Sequence, residues 1–384
     1  MSQRIKLGMV GGGQGAFIGE VHRIASRIDD RFELVAGAFS SNPDKSLASG
    51  KELGLSEDRN YSNFEEMAEK EFAREDKIDA VAIVTPNHMH HPISMSFMNR
   101  GFNVICDKPL AMNIKECEEL VRTQKEKDVI FALTHNYTGY PMIRQARAMC
   151  EQGDLGNIRV IQAEYAQDWL TLDLENQPDS GGNKQASWRT DPLQSGNGGC
   201  IGDIGTHAYN LLRFITQLQP HQISAELTSF VPGRRLDDNA QISLRLIGGA
   251  KATIWSSQIA PGNENHLQIR VYGEKAGLEW CQEDPNYLYF TKYGSPKQKI
   301  TRGGAGAILA ANEVSRVPPG HPEGYLEGFA NIYSDVANAL IDKKNNEFDI
   351  NKYHYPTVED GLEGIRFIER SIASNNSDSS WINF

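Results

Sequence analysis

The sequence predicts two domains of different class. An α/β domain on a doubly wound parallel sheet comes first, and an α+β domain with a large, mostly antiparallel open sheet follows. Three observations carry this expectation. The first third of the chain alternates short Val/Ile/Ala-rich runs with charged helical stretches, the pattern of βαβ units whose sheet is covered on both faces. A glycine-rich turn follows the first of those runs. From Ile223 to about Phe290, strand-like runs succeed one another through short turns, as an antiparallel sheet requires. At roughly 150 residues per domain, 384 residues leave room for two or three.

Taken in order, strand-like runs lie at residues 5–10, 32–39, 78–84, 103–106 and 129–133, with helical stretches at 45–53, 64–74, 93–100 and 114–126. Residues 1–135 are expected to form the first domain and 136–384 the second. A helix near 143–151 leads into a strand-like run at 158–167. Residues 173–199, dense in Gly, Ser, Asn, Gln, Asp and Pro, read as a long loop without regular structure, which in a compact chain is functional or disordered. Beyond it, Ile242, Leu244 and Leu246 alternate with Ser243 and Arg245, so one face of that strand is buried. Were the opposite face apolar, it would need a cover. Helices near 327–341 and 358–373 close the chain, before a polar tail at 374–380.

Composition narrows the function. The 39 Lys+Arg against 50 Asp+Glu give a net charge of −11 with no basic block, which argues against nucleic acid or an anionic membrane as partner. A 39% hydrophobic share suits packed cores. No apolar run approaches the roughly 18–20 residues of a membrane span. Residues 1–8 lack the apolar stretch of a signal peptide, so a cytoplasmic location is expected. The five cysteines (Cys106, Cys117, Cys150, Cys200 and Cys281) show neither paired metal-finger spacing nor a disulfide framework. They read as small buried hydrophobes, and no metal is expected.

The first strand runs into Gly11-Gly12-Gly13-Gln14-Gly15-Ala16-Phe17-Ile18-Gly19. Glycines there let the backbone turn sharply and approach a pyrophosphate, while the helix that follows offers free N–H groups and the positive end of its dipole. In this position the string reads as a Rossmann-type dinucleotide turn, with an ordinary tight turn as the alternative. Gly11 and Gly13 take the first two glycine positions and Ala16 the third. Gly19 comes three residues late, so the helix is expected to start late. Gln14, Phe17 and Ile18 complete the candidate cofactor contacts. At the tip of the second strand, where an acid would bond the ribose of NAD, stand Ser40, Ser41 and Asn42, with Lys45 nearby. Hydroxyl and amide groups accommodate a 2′-phosphate, which tilts the expectation from NAD toward NADP. Asp44 argues the other way, although its place after Pro43 suggests a helix N-terminus.

Ligands of open parallel sheets bind beyond the C-terminal ends of the strands. Two strands end there in suggestive residues, Thr85-Pro86-Asn87-His88-Met89-His90 and Asp107-Lys108-Pro109. Pro109 biases Lys108 away from helical angles and holds it extended. Further on, a glycine-rich run from Ser195 ends in Asp203 and His207, four apart and on one face if the segment is helical. A cap at Asp203 and a packed His207 would be the plain alternative. With Lys108, the three suit hydride transfer at an alcohol carbon. His207 would take the hydroxyl proton, Lys108 would stabilise charge developing on the oxygen, and Asp203 would orient the pair.

Together these motifs resemble the Gfo/Idh/MocA oxidoreductase family (glucose–fructose oxidoreductase, inositol dehydrogenase and relatives) over nearly the whole chain. The family's Glu-Lys-Pro stands here as Asp107-Lys108-Pro109. Its Thr-Pro-Asn-x-x-His, which lines the cofactor, matches Thr85, Pro86, Asn87 and His90, and its Gly-rich Asp-x-x-x-His helix matches Asp203 and His207. The resemblance implies Lys108, Asp203 and His207 as the catalytic trio, Asp107 beside the cofactor, and a homodimer or homotetramer. Two positions depart from the pattern. Asn210 stands where an Asp is frequent, and Asn136-Tyr137-Thr138 lacks the arginine of the usual Asn-Tyr-Arg. Asn136 is implied at the cofactor and Tyr137 at the substrate. Members acting on sugars and anhydrosugars are similar in a Gln-Asp-Trp string and a Trp-Arg pair, here Gln167-Asp168-Trp169 and Trp188-Arg189. These imply Asp168 and Trp169 as substrate contacts and Trp188 and Arg189 as cofactor contacts. An aromatic face with polar neighbours suits the apolar C–H face of a pyranose or polyol ring, with core packing as the alternative for either Trp. The implied activity is an NAD(P)-dependent dehydrogenase or reductase moving a hydride between nicotinamide and a carbinol or keto carbon of a carbohydrate. Its rivals are a redox-neutral NAD-dependent glycosidase on the same scaffold and a non-catalytic dinucleotide-binding sensor. His321 is either a further pocket residue or a loop turn.

Overall fold

The computed structural model describes residues 4–176 and 183–384. Residues 1–3, part of the sequence read for a signal peptide, and 177–182, part of the 173–199 loop, lie outside the described residues. The chain forms two compact units, Met1–Gly139 with Tyr325–Leu362, and Tyr140–Gly324 with Glu363–Phe384.

The first unit opens β1 (Ile5–Gly11), α1 (Phe17–Ile28), β2 (Phe32–Ala38), α2 (Pro43–Glu52), α3 (Phe64–Ala73), β3 (Ala80–Val84), α4 (His90–Met98), β4 (Asn103–Cys106), α5 (Ile114–Glu126) and β5 (Phe131–Leu133). Its five strands are all parallel, in the order β2-β1-β3-β4-β5. Every residue of β3 is buried, as a strand covered on both faces demands. The winding reverses between β1 and β3, where Gly11 pairs with Val84. That reversal opens the crevice in which doubly wound sheets take ligands. Asparagines start three of the helices. Asn42, Asn63 and Asn113 accept from the amides of Lys45, Glu66 and Glu116 and satisfy first-turn donors that would otherwise lack partners.

The rest of the chain comprises α6 (Pro141–Glu151), β6 (Ile158–Ala166), α7 (Lys184–Arg189), α8 (Pro192–Ser195), α9 (Thr206–Thr216), β7 (Pro220–Thr228), β8 (Asn239–Leu246), β9 (Lys251–Ser257), β10 (His266–Gly273), β11 (Ala276–Cys281), β12 (Tyr287–Lys292), β13 (Gln298–Thr301), α10 (Leu309–Asn312), α11 (Tyr325–Lys344), α12 (Val358–Asn375) and β14 (Ile382–Asn383). Nine strands make one open sheet, in the order β13-β12-β11-β10-β6-β9-β8-β7-β14, and only β6 and β9 run parallel. Its buried face carries Ile161, Ile242, Leu244, Ile254, Leu267, Ile269, Leu278 and Trp280.

Two expectations change, and one open question is answered. The contiguous second domain, 136–384, gives up 325–362 to the first unit. In α11, Phe329, Ile332, Tyr333, Val336, Ala337 and Leu340 share a core with Ile5, Leu7, Met9, Val21, Ala25 and Phe32. An apolar helix stripe reports that it is buried, not against what. The 173–199 stretch is not structureless, for it holds α7, capped by Asn183, and α8, capped by Asp191 with Pro192 next. Those caps and the first-turn proline start helices that a loop-like composition conceals. The second face of the large sheet, whose character the sequence left open, is mostly polar and carries Gln162, Glu164, Gln241, Ser243, Arg245, Thr253, Gln268 and Arg270 on neighbouring strands. Among the described residues, no helix is long and apolar enough to cross a membrane.

Candidate active site

In the first unit the glycine turn departs from helix-capping practice. Gly11 and Gly12 have φ of +84° and +72°, a region that favours glycine. α1 starts at Phe17, late as expected, and its N-cap Ala16 has no side chain to offer the first-turn amides. Unlike the donors of α2, α3 and α5, these stay open to an anion at the positive end of the helix. Gly19 lies against Gly12 so closely that a Cβ on it would stand 2.3 Å from Gly12 Cα. Gly19, rather than Ala16, thus serves the close helix–strand approach of the third glycine. The delay is the turn itself, closed by Ala16 N–H donating to the Gly13 carbonyl. Gln14 is held against α2, its amide donating to Ser49 Oγ (3.2 Å) and its side chain to Glu52 (2.8 Å). Phe17 is 69% exposed, and Ile18 packs partly against the core.

At the tip of β2, Ser41 and Lys45 are exposed and Ser40 half-exposed. Asn42 caps α2, and Asp44 lies in that helix's first turn. After β3 and β5, the Thr85 hydroxyl and the Asn136 side-chain amide are buried without a hydrogen-bond partner among the described residues. Open helix amides and two orphaned buried polar groups at strand ends fit a dinucleotide.

His90, named with the cofactor residues, lies in the interior. It is wholly buried, with Nδ1 2.7 Å from the Pro109 carbonyl and Nε2 2.9 Å from the Thr85 carbonyl. It ties the end of β3, beside Pro86 and the buried Asn87, to the turn after β4. Burial pushes its pKa down, against the pull of those carbonyls. That turn carries Lys108, whose bond to Pro109 is cis. Asp107 Oδ1 accepts from the Lys108 amide and from Thr134 Oγ, both at 2.9 Å. A carboxylate at this position therefore fixes the lysine backbone, and Asp serves where the family has Glu. His135, just after β5, is pushed down to about 3 by burial and then by the Lys108 charge, so it stays neutral. Tyr137 is 4% exposed and packs edge-on against Tyr325, 6.4 Å between ring centroids.

The second unit carries the other candidate residues. Ile201–Gly205 is a π-helical turn that feeds α9, so Asp203 and His207 straddle a widened turn instead of regular α-helix. Asp203 does not cap α9. Its Oδ2 accepts from Gln258 Nε2 (2.9 Å) and from Arg189 Nε (3.2 Å), two donors that orient the carboxylate. The Arg189 guanidinium lies 4.2 Å from the Trp188 ring and 5.8 Å from the Trp169 ring. Both tryptophans are half-buried, unlike the core residue Trp280. In this arrangement Arg189 is engaged by Asp203. Asp168 accepts from the Gly262 amide at 3.2 Å and steadies a turn. His207 is 7% exposed, its ring 6.1 Å from that of Tyr165, and Asn210 is buried. His321 is exposed in a loop turn, its amide donating to the Pro318 carbonyl.

Two residues escaped the sequence. Gln258 follows β9 with no motif around it. Asp237 accepts from the amides of Gly199 (2.6 Å) and Ile201 (2.8 Å) and so anchors the start of the π-turn. Its partners lie far off in sequence, and an Asp-Asp pair in a loop gives no sign of them.

Models of protein families match the chain on both sides. The oxidoreductase family with an NAD-binding Rossmann fold matches residues 5–135, and the GFO/IDH/MocA C-terminal domain matches 143–279. The uncharacterized oxidoreductase YfiI of Bacillus subtilis (strain 168) is 36% identical over 389 residues, spanning 100% of this chain and 98% of that protein. The crystal structure of an oxidoreductase from Sinorhizobium meliloti is 51% identical, with a TM-score of 0.89 over 99% of this chain and 100% of that one. An inositol dehydrogenase homolog from Azotobacter vinelandii, complexed with NADH and myo-inositol, is 33% identical, with a TM-score of 0.93 over 100% and 98%. The protein belongs to the Gfo/Idh/MocA family of NAD-binding oxidoreductases.

Proposed function

We propose that the protein is a dehydrogenase or reductase of a sugar, polyol or related carbohydrate, with Lys108, Asp203 and His207 as its catalytic residues. The observation that carries this is the Asp203 carboxylate held by Gln258 and Arg189 one widened turn before His207, with Trp169 and Trp188 about the same guanidinium. A fixed carboxylate, a mostly buried imidazole and two half-buried aromatic faces suit a ring with an apolar C–H side and several hydroxyls. A bound nicotinamide dinucleotide supplies the site that accepts or gives the hydride. His207 takes the hydroxyl proton during oxidation and returns it during reduction. The Lys108 ammonium donates to the substrate oxygen as charge builds there, from a backbone that Asp107 and His90 hold in place. Gly11, Gly13, the first-turn amides of α1, Thr85 and Asn136 hold the dinucleotide.

NADP is the preferred dinucleotide in this reading, because Ser40, Ser41 and Lys45 surround the β2 tip without an acid at the strand end. A homodimer or homotetramer in the cytoplasm completes the proposal. Its support is the breadth of the nine-stranded sheet, whose polar face also carries Val160, Trp255 and Tyr272.

The test mixes purified protein with NAD or NADP and a panel of sugars, polyols, anhydrosugars and aryl glycosides, following reduced nicotinamide and released aglycone together. Reduction with one sugar class is expected. Aglycone release without net reduction would replace the proposal with a redox-neutral glycosidase. Dinucleotide binding with no turnover across the panel would favour a sensor.

A further inference from the structure

On the polar face of the large sheet, at the shared end of β10 and β11, three unlike donor groups converge. His266 Nδ1 stands 3.9 Å from Cys281 Sγ and 3.3 Å from Glu283 Oε2, and the three donor atoms lie within 4.8 Å of one another. We propose that His266, Cys281 and Glu283 form a binding site for a borderline-soft divalent cation, with Zn2+ the best fit.

The ligand set points to that class. Imidazole nitrogen, thiolate sulfur and carboxylate oxygen are the donors Zn2+ takes, whereas an all-oxygen cage would suit Mg2+ or Ca2+. At Zn–N and Zn–S lengths of about 2.0–2.3 Å, tetrahedral ligands stand roughly 3.3–3.7 Å apart, close to the separations found. The surroundings are arranged around these atoms. The second imidazole nitrogen, Nε2, faces Gln268 Oε1 at 3.2 Å and Glu164 Oε1 at 3.5 Å. A histidine ligand characteristically directs its other nitrogen at such an acceptor, which selects the tautomer whose lone pair points at the metal. With acceptors on both sides, a neutral ring satisfies only one, and a cation at Nδ1 satisfies the other. Glu283 is oriented by the Asn265 amide, which donates to Oε1 (3.0 Å) and leaves Oε2 toward the histidine. The backbone amides of Glu283 and Asp284 favour the Cys281 thiolate, although burial on balance pushes the thiol up, so a cation is what would deprotonate it. Glu283 is 41% exposed, giving an approach from solvent and room for water as a fourth ligand.

The experiment uses the intact protein, stripped with a chelator and titrated with Zn2+ against a chromogenic competitor, then with Co2+ as a spectroscopic stand-in. One Zn2+ per chain is expected, with a thiolate-to-cobalt charge-transfer band. Cys281→Ser should abolish the band, and His266→Ala and Glu283→Gln should each weaken Zn2+ by about tenfold or more. His266 and Cys281 lie on a polar sheet face and Glu283 in the turn after β11, and circular dichroism checks that each variant folds. Failure to compete for Zn2+, or undiminished binding by the Cys281→Ser/His266→Ala double variant, would overturn the site. In that event the three side chains meet only through hydrogen bonds. The readout does not involve turnover, so it stands or falls apart from the proposed activity.

Discussion

Two glycine-rich segments, one in each unit, use the same residue for opposite ends. In Gly11–Gly19, glycine supplies conformations other residues resist, as the φ values of Gly11, Gly12 and Gly15 show, and it keeps backbone amides open. In the run from Gly196 to Gly205, only Gly196 has such a φ. There glycine supplies room. A Cβ on Gly199 would stand 2.0 Å from the Asp237 carbonyl oxygen, and one on Gly205 3.0 Å from Ser256 Oγ. The first segment leaves donors open for a ligand, and the second packs a π-turn tightly so that Asp203 and His207 stay in place. One is built to bind and the other to hold.

The strongest test of that contrast is Lys108→Met, which removes chemistry from the binding unit. Turnover should fall by about 100- to 1,000-fold while dinucleotide affinity stays within a few-fold. Equal loss of both in steady-state kinetics and nucleotide fluorescence titration would erase the distinction. Next come paired alanines. Gly19→Ala pushes into Gly12 and should weaken dinucleotide binding by tenfold or more, on the order expected when open donors are displaced. Gly199→Ala pushes into Asp237 and should cost about 1–3 kcal/mol of stability, lowering Tm by roughly 2–4 °C per kcal/mol, and reduce kcat with dinucleotide binding kept. If both variants lose the same property, the segments do not divide the work.

Acid should part the units as well. His22 is fully buried beside Tyr333, and burial holds it down at about 4, below the ordinary 6.5. Between those values the unfolded chain binds a proton that the folded chain refuses. Stability present above pH 6.5 is therefore lost as pH falls toward 4, by about 3 kcal/mol. In the second unit, burial moves Asp237 the other way, above the ordinary carboxylate value. The folded form then holds its proton more tightly, and acidification favours folding through this group. Denaturation across pH 4–7, with His22→Gln flattening the loss, checks the first arm. Finally, Ser40→Asp should shift preference toward NAD by repelling a 2′-phosphate. An unchanged NAD/NADP ratio of kcat/KM would show that the ribose site has been misplaced.

The binding segment was legible because its logic is local. A glycine turn after an apolar strand and a proline after Lys108 each act within a few residues, and helices between some apolar runs against short turns between others separated the parallel from the antiparallel sheet. Gly19 was visible in the string, although its role awaited the packing of α1 on β1. The holding segment was legible only as a pair, Asp203 and His207. Its supports arrive from elsewhere in the chain, Arg189 from α7, Gln258 after β9 and Asp237 from a loop, and no local pattern announces them.

By itself the sequence determined the two sheet classes, the glycine turn, the family and the residues offered for chemistry, because backbone preference and hydrophobic period are properties of neighbouring residues. Tertiary structure decided the rest. It returned α11 to the first unit's core, made His90 a tie between two strand ends, set Arg189 on Asp203, and brought His266, Cys281 and Glu283 together at the shared end of adjacent strands. Each depends on which surfaces meet, and hydrophobic burial, being non-directional, leaves that choice to the packing of the whole chain.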